Sequence, residues 1–406
     1  MSFFRKHNEP ASEAASGDFS YLDSSALYFD SACQTLRPQP VMSAVTDYYR
    51  QFNACGGRVK YGWGEKVDTI VLKARRRLLK LLGKTEKDYT VAFCLNTTSG
   101  INLLLQQLPA GRYRRIVTSE IEHNSVFLPA LTCAKRFRME RLLLPRLPDG
   151  SLDFRPEDLE RAVVVVNTTS NIDGRSLANL DEVVKAAHER GGIVILDAAQ
   201  TMGHDPRLLA RVHFDAVCGS AHKMYGPSLG FIVIARSFLS ELDCFFIGGG
   251  TVGDVRKDDF DLLDSPDEAF AKLEPGLQDF AGITGLEAAL AWMETYRPEN
   301  QDREKHQAGL AAAMYESLRS NDRLKLLNTA PSPIISFHSE RVDAHRLALY
   351  LSAQNIMVRS GYFCCHYYLK NLLRLPPLLR ISIGLHNTAA QTTHAADIIH
   401  RIVNGL

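Results

Sequence analysis

The chain has 406 residues, enough for two or three folding units at roughly 150 residues each. It is 45% hydrophobic and 23% charged, and 47 Lys and Arg against 46 Asp and Glu leave a net charge of +1. This ordinary globular composition and balanced charge exclude a surface built for nucleic acid or an anionic membrane. No apolar run approaches the roughly 20 residues that a membrane span needs. The eight cysteines are scattered without CxxC spacing, which favours reduced thiols in a cytoplasmic protein and gives no metal signature.

Residues from Met1 to about Gly17 lack the apolar stretch of a secretory leader and are expected to form a flexible arm, within an N-terminal segment 1–27. Tyr28-Phe29-Asp30-Ser31-Ala32-Cys33 reads as a short strand and turn. Pro38 and Pro40 open a helix on which Val41, Val45, Tyr48 and Phe52 recur at helical spacing. The glycine-rich loop Cys55-Gly56-Gly57-Arg58 precedes an amphipathic helix over 65–82 that Gly83 stops.

From Tyr89 the pattern becomes strand and helix in alternation. Strands are expected over 90–95, 115–118, 141–144, 163–167, 193–197, 216–219 and 229–235, with helices between most of them, including 101–108 and 180–190. Continuous apolar runs such as Ala162-Val163-Val164-Val165-Val166 belong to strands covered on both faces. The expected fold is therefore α/β, with a mostly parallel seven-stranded sheet in a large domain over 28–296. Residues 248–280 are polar and irregular, longer than a plain connection needs, and are expected to form a functional or subunit-contact loop. After a helix over 283–296 and the break Arg297-Pro298-Glu299-Asn300, a smaller α+β domain is expected over 297–406. Its elements are a helix over 301–319, strands over 324–327 and 333–338, a helix over 343–354, strands over 356–359 and 379–383, and a final helix.

Open α/β sheets bind ligands beyond the carboxyl ends of their strands, and the chemistry-bearing residues of this chain gather at those ends. Asn96-Thr97-Thr98-Ser99-Gly100 follows the first strand and opens a helix, so backbone amides and two hydroxyls could cradle a phosphate. Glu122-His123-Asn124-Ser125 follows the next, where His123 could stack on a flat ring or be an ordinary loop histidine. Asn171, in Thr169-Ser170-Asn171-Ile172-Asp173-Gly174, could bond a cofactor oxygen or the substrate, or serve plain turn chemistry. Asp197 ends the buried run Ile193-Val194-Ile195-Leu196, with Gln200 close behind. One strand later stands Ser220-Ala221-His222-Lys223-Met224-Tyr225-Gly226-Pro227. Pyridoxal phosphate needs this last pair: an amine for a Schiff base, and a carboxylate that keeps the pyridinium nitrogen protonated.

The order Thr-Thr-x-Gly, Glu-His-Asn, Ser-Asn-x-x-Gly, Asp-x-x-Gln and Ser-x-His-Lys-x-x-Gly-Pro resembles the class V aminotransferases of the fold type I pyridoxal-phosphate enzymes, and within them the cysteine desulfurase and selenocysteine lyase branch. The resemblance covers residues 28–388. It implies that Thr97 and Thr98 bind the phosphate with help from Ser220 and His222. It further implies that His123 stacks on the ring, Asp197 pairs with its nitrogen, Gln200 faces its phenolic oxygen, and Lys223 forms the Schiff base. Val358-Arg359-Ser360-Gly361-Tyr362-Phe363-Cys364-Cys365 resembles the Arg-x-Gly-x-x-Cys loop that carries the persulfide-forming cysteine, which places Cys364 in the catalytic position with Cys365 as its immediate rival. Arg380 matches the position that clamps the substrate carboxylate. The implied reaction turns L-cysteine into L-alanine and leaves sulfur on the enzyme for an acceptor protein, in a homodimer.

Two residues depart from the family pattern. Leu277, after Glu274-Pro275-Gly276, stands where the family carries a Thr that reaches the neighbouring subunit's phosphate, so the contact is lost or passes to Thr251 or another residue. Tyr362 stands where many relatives have His. The stretch Gly248-Gly249-Gly250-Thr251-Val252 and the cysteine loop also resemble molybdenum-cofactor sulfurases, but no cofactor-carrying C-terminal domain follows. Alternatives are a selenocysteine lyase, an epimerase or transaminase of the same family, or a pyridoxal-phosphate-binding docking partner in a sulfur relay.

Overall fold

The computed structural model describes residues 17–405 apart from Ser24, Arg58 and Asp264. The expected arm therefore lies, for residues 1–16, outside the described residues, as does Arg58 of the glycine-rich loop. The chain divides into two compact units. One comprises the described part of Met1–Leu36 with Arg297–Phe363 and Leu375–Leu406; the other comprises Arg37–Tyr296 and Cys364–Arg374. The expected domains 28–296 and 297–406 differ from this division in two places: residues up to Leu36 join the smaller unit, and Cys364–Arg374 the larger.

After β1 (Leu27–Tyr28) come α1 (Gln39–Gln51) and α2 (Gly62–Leu81). The strands β2 (Tyr89–Cys94), β3 (Arg115–Ser119), β4 (Glu140–Leu144), β5 (Ala162–Asn167), β6 (Ile193–Asp197), β7 (Ala216–Ser220) and β8 (Gly230–Ala235) follow. Between and after them lie α3 (Thr97–Gln106), α4 (Asn124–Phe137), α5 (Leu180–Glu189), the short α6 (Thr201–His204) and α7 (Arg236–Glu241). The seven strands form one sheet in the order β2-β8-β7-β6-β5-β3-β4, in which only β8 runs against its neighbours. Every residue of β5, β6, β7 and β8 is buried, which is why these strands read as unbroken apolar runs rather than as alternating ones. All seven lie within one residue of their expected bounds.

α3 starts four residues before its expected start at 101. Asn96 caps it reciprocally: its Oδ1 accepts from Ser99 N at 3.0 Å, while Ser99 Oγ accepts from Asn96 N at 3.0 Å. The cap draws Thr97 and Thr98 into the first turn. Gly230 makes room for it, since a Cβ there would come within 2.4 Å of Asn96 Cα.

Residues 248–280 are more regular than expected. They contain the antiparallel pair β9 (Val252–Val255) and β10 (Phe260–Leu262) and a 3₁₀ stretch Pro266–Leu273. The hairpin is mostly exposed and carries no apolar alternation to betray it. Arg256 closes it through Asp259 at 2.9 Å and Asp261 at 2.6 Å. α8 (Phe280–Thr295) is capped by Asp279 and packs on α1 and α2.

The smaller unit is built on the antiparallel sheet β11-β12-β15-β14, with α9 (Arg303–Arg319), α10 (Ala344–Ser352) and α11 (Ala389–Gly405) around it. Its strands are β11 (Leu324–Leu326), β12 (Ile334–Ser339), β14 (Arg359–Gly361) and β15 (Leu378–Ser382). The single strand expected over 356–359 is two, because β13 (Ile356–Met357) pairs with β1 while β14 pairs with β15. A core of Phe29, Met314, Phe337, Leu351, Ile381 and Ile399 fills the unit. Among the described residues, no helix is long and apolar enough to cross a membrane.

One buried ion pair fixes the approach to Leu277 in the larger unit. Arg75 donates to both oxygens of Glu274, at 3.0 and 2.8 Å, and to the carbonyl of Val91. Glu274 Oε1 also accepts from Phe93 N at 2.6 Å, and the guanidinium lies 3.6 Å from the Phe270 ring centroid. Breaking one half of such a pair strands the other charge in the interior. Arg75→Met is expected to cost roughly 3–5 kcal/mol in denaturant unfolding, and Arg75→Met with Glu274→Leu to recover much of that loss.

Candidate active site

In the larger unit, the carboxyl ends of β2, β5, β6 and β7 and the turn after β3 carry the predicted residues. At the first turn of α3, Ser220 Oγ accepts from Thr97 N at 2.9 Å and lies 2.7 Å from Thr97 Oγ1. Thr98 Oγ1 shares a 2.6 Å hydrogen bond with Ser125 Oγ. Ser125 in turn reaches His123: its backbone N–H donates to His123 Nδ1 at 3.0 Å, and its Oγ lies 2.8 Å from the same nitrogen. An Nδ1 that accepts a backbone N–H leaves the neutral ring's proton on Nε2 and fixes the plane of the imidazole. The structure thus joins Thr97 to Ser220, and Thr98 through Ser125 to His123.

Glu122 stands behind that histidine and is 2% exposed. Its oxygens accept from Ser119 Oγ at 2.5 Å and from Asn167 N and Nδ2 at 2.9 Å each. Burial pushes its pKa up to about 7, against Ser119, Arg146 and Asn167, which favour the charged form. The sequence reading quoted Glu122 without giving it a task. An acid at the end of an apolar strand is the signal that marks it as a buried anchor for the turn carrying His123.

Asp197 closes β6 and is 5% exposed. Its Oδ1 accepts from Ala199 N at 2.9 Å. Burial raises its pKa, and the Ala199 amide and the charge of Lys223 pull it back. Lys223 ends the 3₁₀ turn Ala221–Lys223 that follows β7. A Cβ on Gly203 would meet the Lys223 carbonyl at 2.1 Å, so α6 can pack on the lysine turn only because residue 203 is glycine. His222 is held neutral: burial, then the charges of Lys223 and Arg37, lower its pKa to about 4. Gln200 is 4% exposed at the start of α6, three residues beyond Asp197.

The two cysteines of the loop differ in surroundings. Cys364 is exposed and adopts φ 59°, after Phe363 at φ 48°. Its carbonyl accepts from Asn124 N at 2.7 Å, which ties it to the residue beside His123. Cys365 is 1% exposed, and its thiol donates to Asn171 Oδ1 at 3.2 Å. Beyond them, Tyr367 stacks on Phe127 with ring centroids 4.8 Å apart.

Arg380 lies in β15 of the smaller unit and is 3% exposed. It donates to Asp30 Oδ1 at 3.2 Å, while Arg359 donates to Asp30 Oδ2 at 2.9 and 2.7 Å. Burial pulls the Arg380 pKa down, and Asp30 pushes it back up. Neither Asp30 nor Arg359 drew a role from the sequence, because their partners are distant in the chain. Tyr362, in the position of the family His, donates to the Leu375 carbonyl at 3.4 Å.

Thr251, the candidate stand-in for the missing Thr at 277, is engaged locally. Its Oγ1 donates to Gly248 O at 2.8 Å and accepts from Gly248 N at 3.0 Å, and the residue is 2% exposed. Leu277 itself is 77% exposed.

A depressed histidine pKa links the site to stability. The unfolded state protonates His222 near 6.5, the folded state only near 4, so its contribution is complete above pH 6.5 and is lost as pH falls toward 4. In His222→Gln the fall in thermal unfolding midpoint across that window is expected to be shallower than in the parent, measured by calorimetry at several pH values.

Comparison with known proteins bears on the family of the chain. A model of the class-V aminotransferases matches residues 27–393. A probable cysteine desulfurase of Methanothermobacter thermautotrophicus is 28% identical over 389 residues, covering 93% of this chain and 94% of its own. The cysteine desulfurase CsdA of Escherichia coli is 26% identical over 393 residues, covering 94% of this chain and 95% of its own. The apo structure of a cysteine desulfurase from Thermococcus onnurineus shares the fold, with a TM-score of 0.84 at 24% identity over 94% of this chain and 95% of that one. With the family model spanning nearly its whole length, this chain belongs to the class-V aminotransferase family.

Proposed function

We propose that the chain is a pyridoxal-phosphate-dependent cysteine desulfurase that converts L-cysteine to L-alanine and keeps the sulfur as a persulfide on Cys364. The observation that carries this reading is the exposed Cys364, held by its own carbonyl to the amide of Asn124 beside His123. Relatives named as a probable cysteine desulfurase and as a cysteine desulfurase support it.

The residues present fit the cofactor. Asp197, a carboxylate 5% exposed at the end of β6, suits a protonated ring nitrogen. Thr98 N–H, in the first helical turn, has no intrahelical acceptor and suits a phosphate oxygen, with Thr97, Ser220 and His222 beside it. Lys223 supplies the amine, His123 a flat face, and Gln200 a donor for the phenolic oxygen. When bound, pyridoxal phosphate supplies an electron sink for the charge left at Cα once its proton is removed.

Arg380 holds the substrate carboxylate, and Asn171 orients the substrate. The Lys223 amine takes the Cα proton. Asp197 holds the proton at the ring nitrogen. The Cys364 thiolate attacks the substrate sulfur: an S–S bond forms, the Cβ–S bond breaks, and its electron pair remains on Cβ, which takes up a proton; Lys223 then returns the proton it took to Cα, and alanine is the product. The same reading makes the protein a cytoplasmic homodimer that hands its sulfur to an acceptor protein. Phe245, Phe246, Ile247 and Leu277, exposed by 57%, 47%, 41% and 77%, support self-association.

Mass spectrometry of the holoenzyme after L-cysteine treatment is expected to find one added sulfur atom on the peptide bearing Cys364. Cys364→Ser should lose alanine formation by about a hundredfold or more, and Lys223→Ala the visible absorbance of the bound cofactor. Sulfur found on Cys365 in the parent would move the nucleophile by one residue. A parent enzyme that makes no alanine from cysteine would sink the assignment.

A further inference from the structure

Two arginines of the smaller unit face each other across a strand pair, Arg380 buried at 3% side-chain exposure and Arg359 at 45%. Arg359 and Arg380 are direct partners in the antiparallel pairing of β14 with β15. Like charges in that position repel at short range and destabilise the pair. Asp30 stands between them: one oxygen accepts from Arg380 and the other from Arg359. The carboxylate is itself fixed, because its segment is stitched to the end of β15. Ser382 N donates to Phe29 O at 2.7 Å, and Ser382 Oγ accepts from Ala32 N at 2.9 Å. On a further side, the Phe363 ring centroid lies 4.8 Å from Arg380 Cζ, and Arg359 Nη2 lies 2.8 Å from Cys33 Sγ.

We infer that Asp30 is a positioning residue for carboxylate recognition: it locks the two opposed guanidiniums into one receptor carrying a single net positive charge. Two cations and one fixed anion sum to one positive charge, the sign that complements a substrate carboxylate. Removing the anion leaves the buried Arg380 without its carboxylate partner and opposite the like charge of the half-exposed Arg359, so Arg380 turns from its fixed plane and the geometry for bidentate binding is lost. The inference rests on the reading of Arg380 as the carboxylate-binding residue, and not on the fate of the sulfur.

The test compares equilibrium binding of L-alanine and of L-alaninamide to the pyridoxal-phosphate-loaded enzyme, since the two differ only in the carboxylate. The ratio of their affinities reads carboxylate recognition and is not moved by a general loss of stability. In Asp30→Asn the ratio is expected to fall about tenfold, the scale of one misplaced charge-assisted hydrogen bond. In Asp30→Asn with Arg359→Gln, where the opposing charge is gone, it should recover to within about threefold of the parent. An unchanged ratio in Asp30→Asn, or no recovery in the double variant, overturns the inference. If the single variant does not fold, the double variant decides: a ratio near the parent's supports the role and a tenfold loss ends it. A parent that prefers L-alanine no more than its amide overturns the carboxylate receptor itself. A parent that prefers L-alanine but forms no alanine from cysteine sinks the desulfurase reading and leaves this one standing.

Discussion

A carboxylate buried at the end of a parallel strand is the constraint from which the larger unit's chemistry follows. Asp197 is 5% exposed, and burial alone would drive it toward the neutral form. One backbone amide and the charge of Lys223 oppose that shift. The strand order explains how the two come together. β6 and β7 are neighbours, with Asp197 paired to Cys218, so the residues that leave β7 emerge beside the carboxylate. A lysine five residues beyond Cys218, on a turn that glycine 203 permits to pack closely, is what this register supplies. Neutral His222 keeps a further positive charge away from that lysine.

The proposed phosphate side is lined by hydroxyls. Thr97 and Ser220 bond each other, Thr98 bonds Ser125, and Ser125 orients His123. A chain of short polar side chains around a helix N-terminus can hold an anion through dipoles and N–H groups. It also couples the proposed ring-stacking histidine to the helix proposed to receive the phosphate, so a change at Ser125 acts on both. Leu277 fits this arrangement poorly as a phosphate ligand, and the Thr251 hydroxyl closes a turn onto Gly248. The larger unit therefore relies on what α3 and β7 provide.

The parts of this fold that were legible in the sequence are those in which local pattern and burial coincide. Strand β6 was readable to the residue because five consecutive apolar or strand-ending positions are all buried. α3 was misplaced by four residues because its start is decided by a reciprocal Asn96–Ser99 cap, not by apolar periodicity. The β9–β10 hairpin was illegible because it faces solvent and is held by one arginine among aspartates. Lys223, Asp197 and His123 were legible as residue types at strand ends. Asp30 was not, since its arginine partners lie 329 and 350 residues away, and no local pattern records such a pairing. The same holds for Arg75 and Glu274, 199 residues apart.

The cysteine loop shows why two adjacent thiols need not share a role. Left-handed backbone at a non-glycine residue costs roughly 1–2 kcal/mol, and Phe363 and Cys364 adopt it in succession. Such a pair persists only where the flanks determine it. Here the Phe363 ring is held against Arg380, the Cys364 carbonyl accepts from Asn124, and Cys365 is buried with its thiol on Asn171. With both sides of Cys364 pinned in this way, its own side chain is left exposed. Cys365, by contrast, would have to give up its burial and its bond to Asn171 before it could act as a nucleophile. The strained backbone therefore separates a thiol buried on Asn171 from one left exposed, the one proposed as the nucleophile.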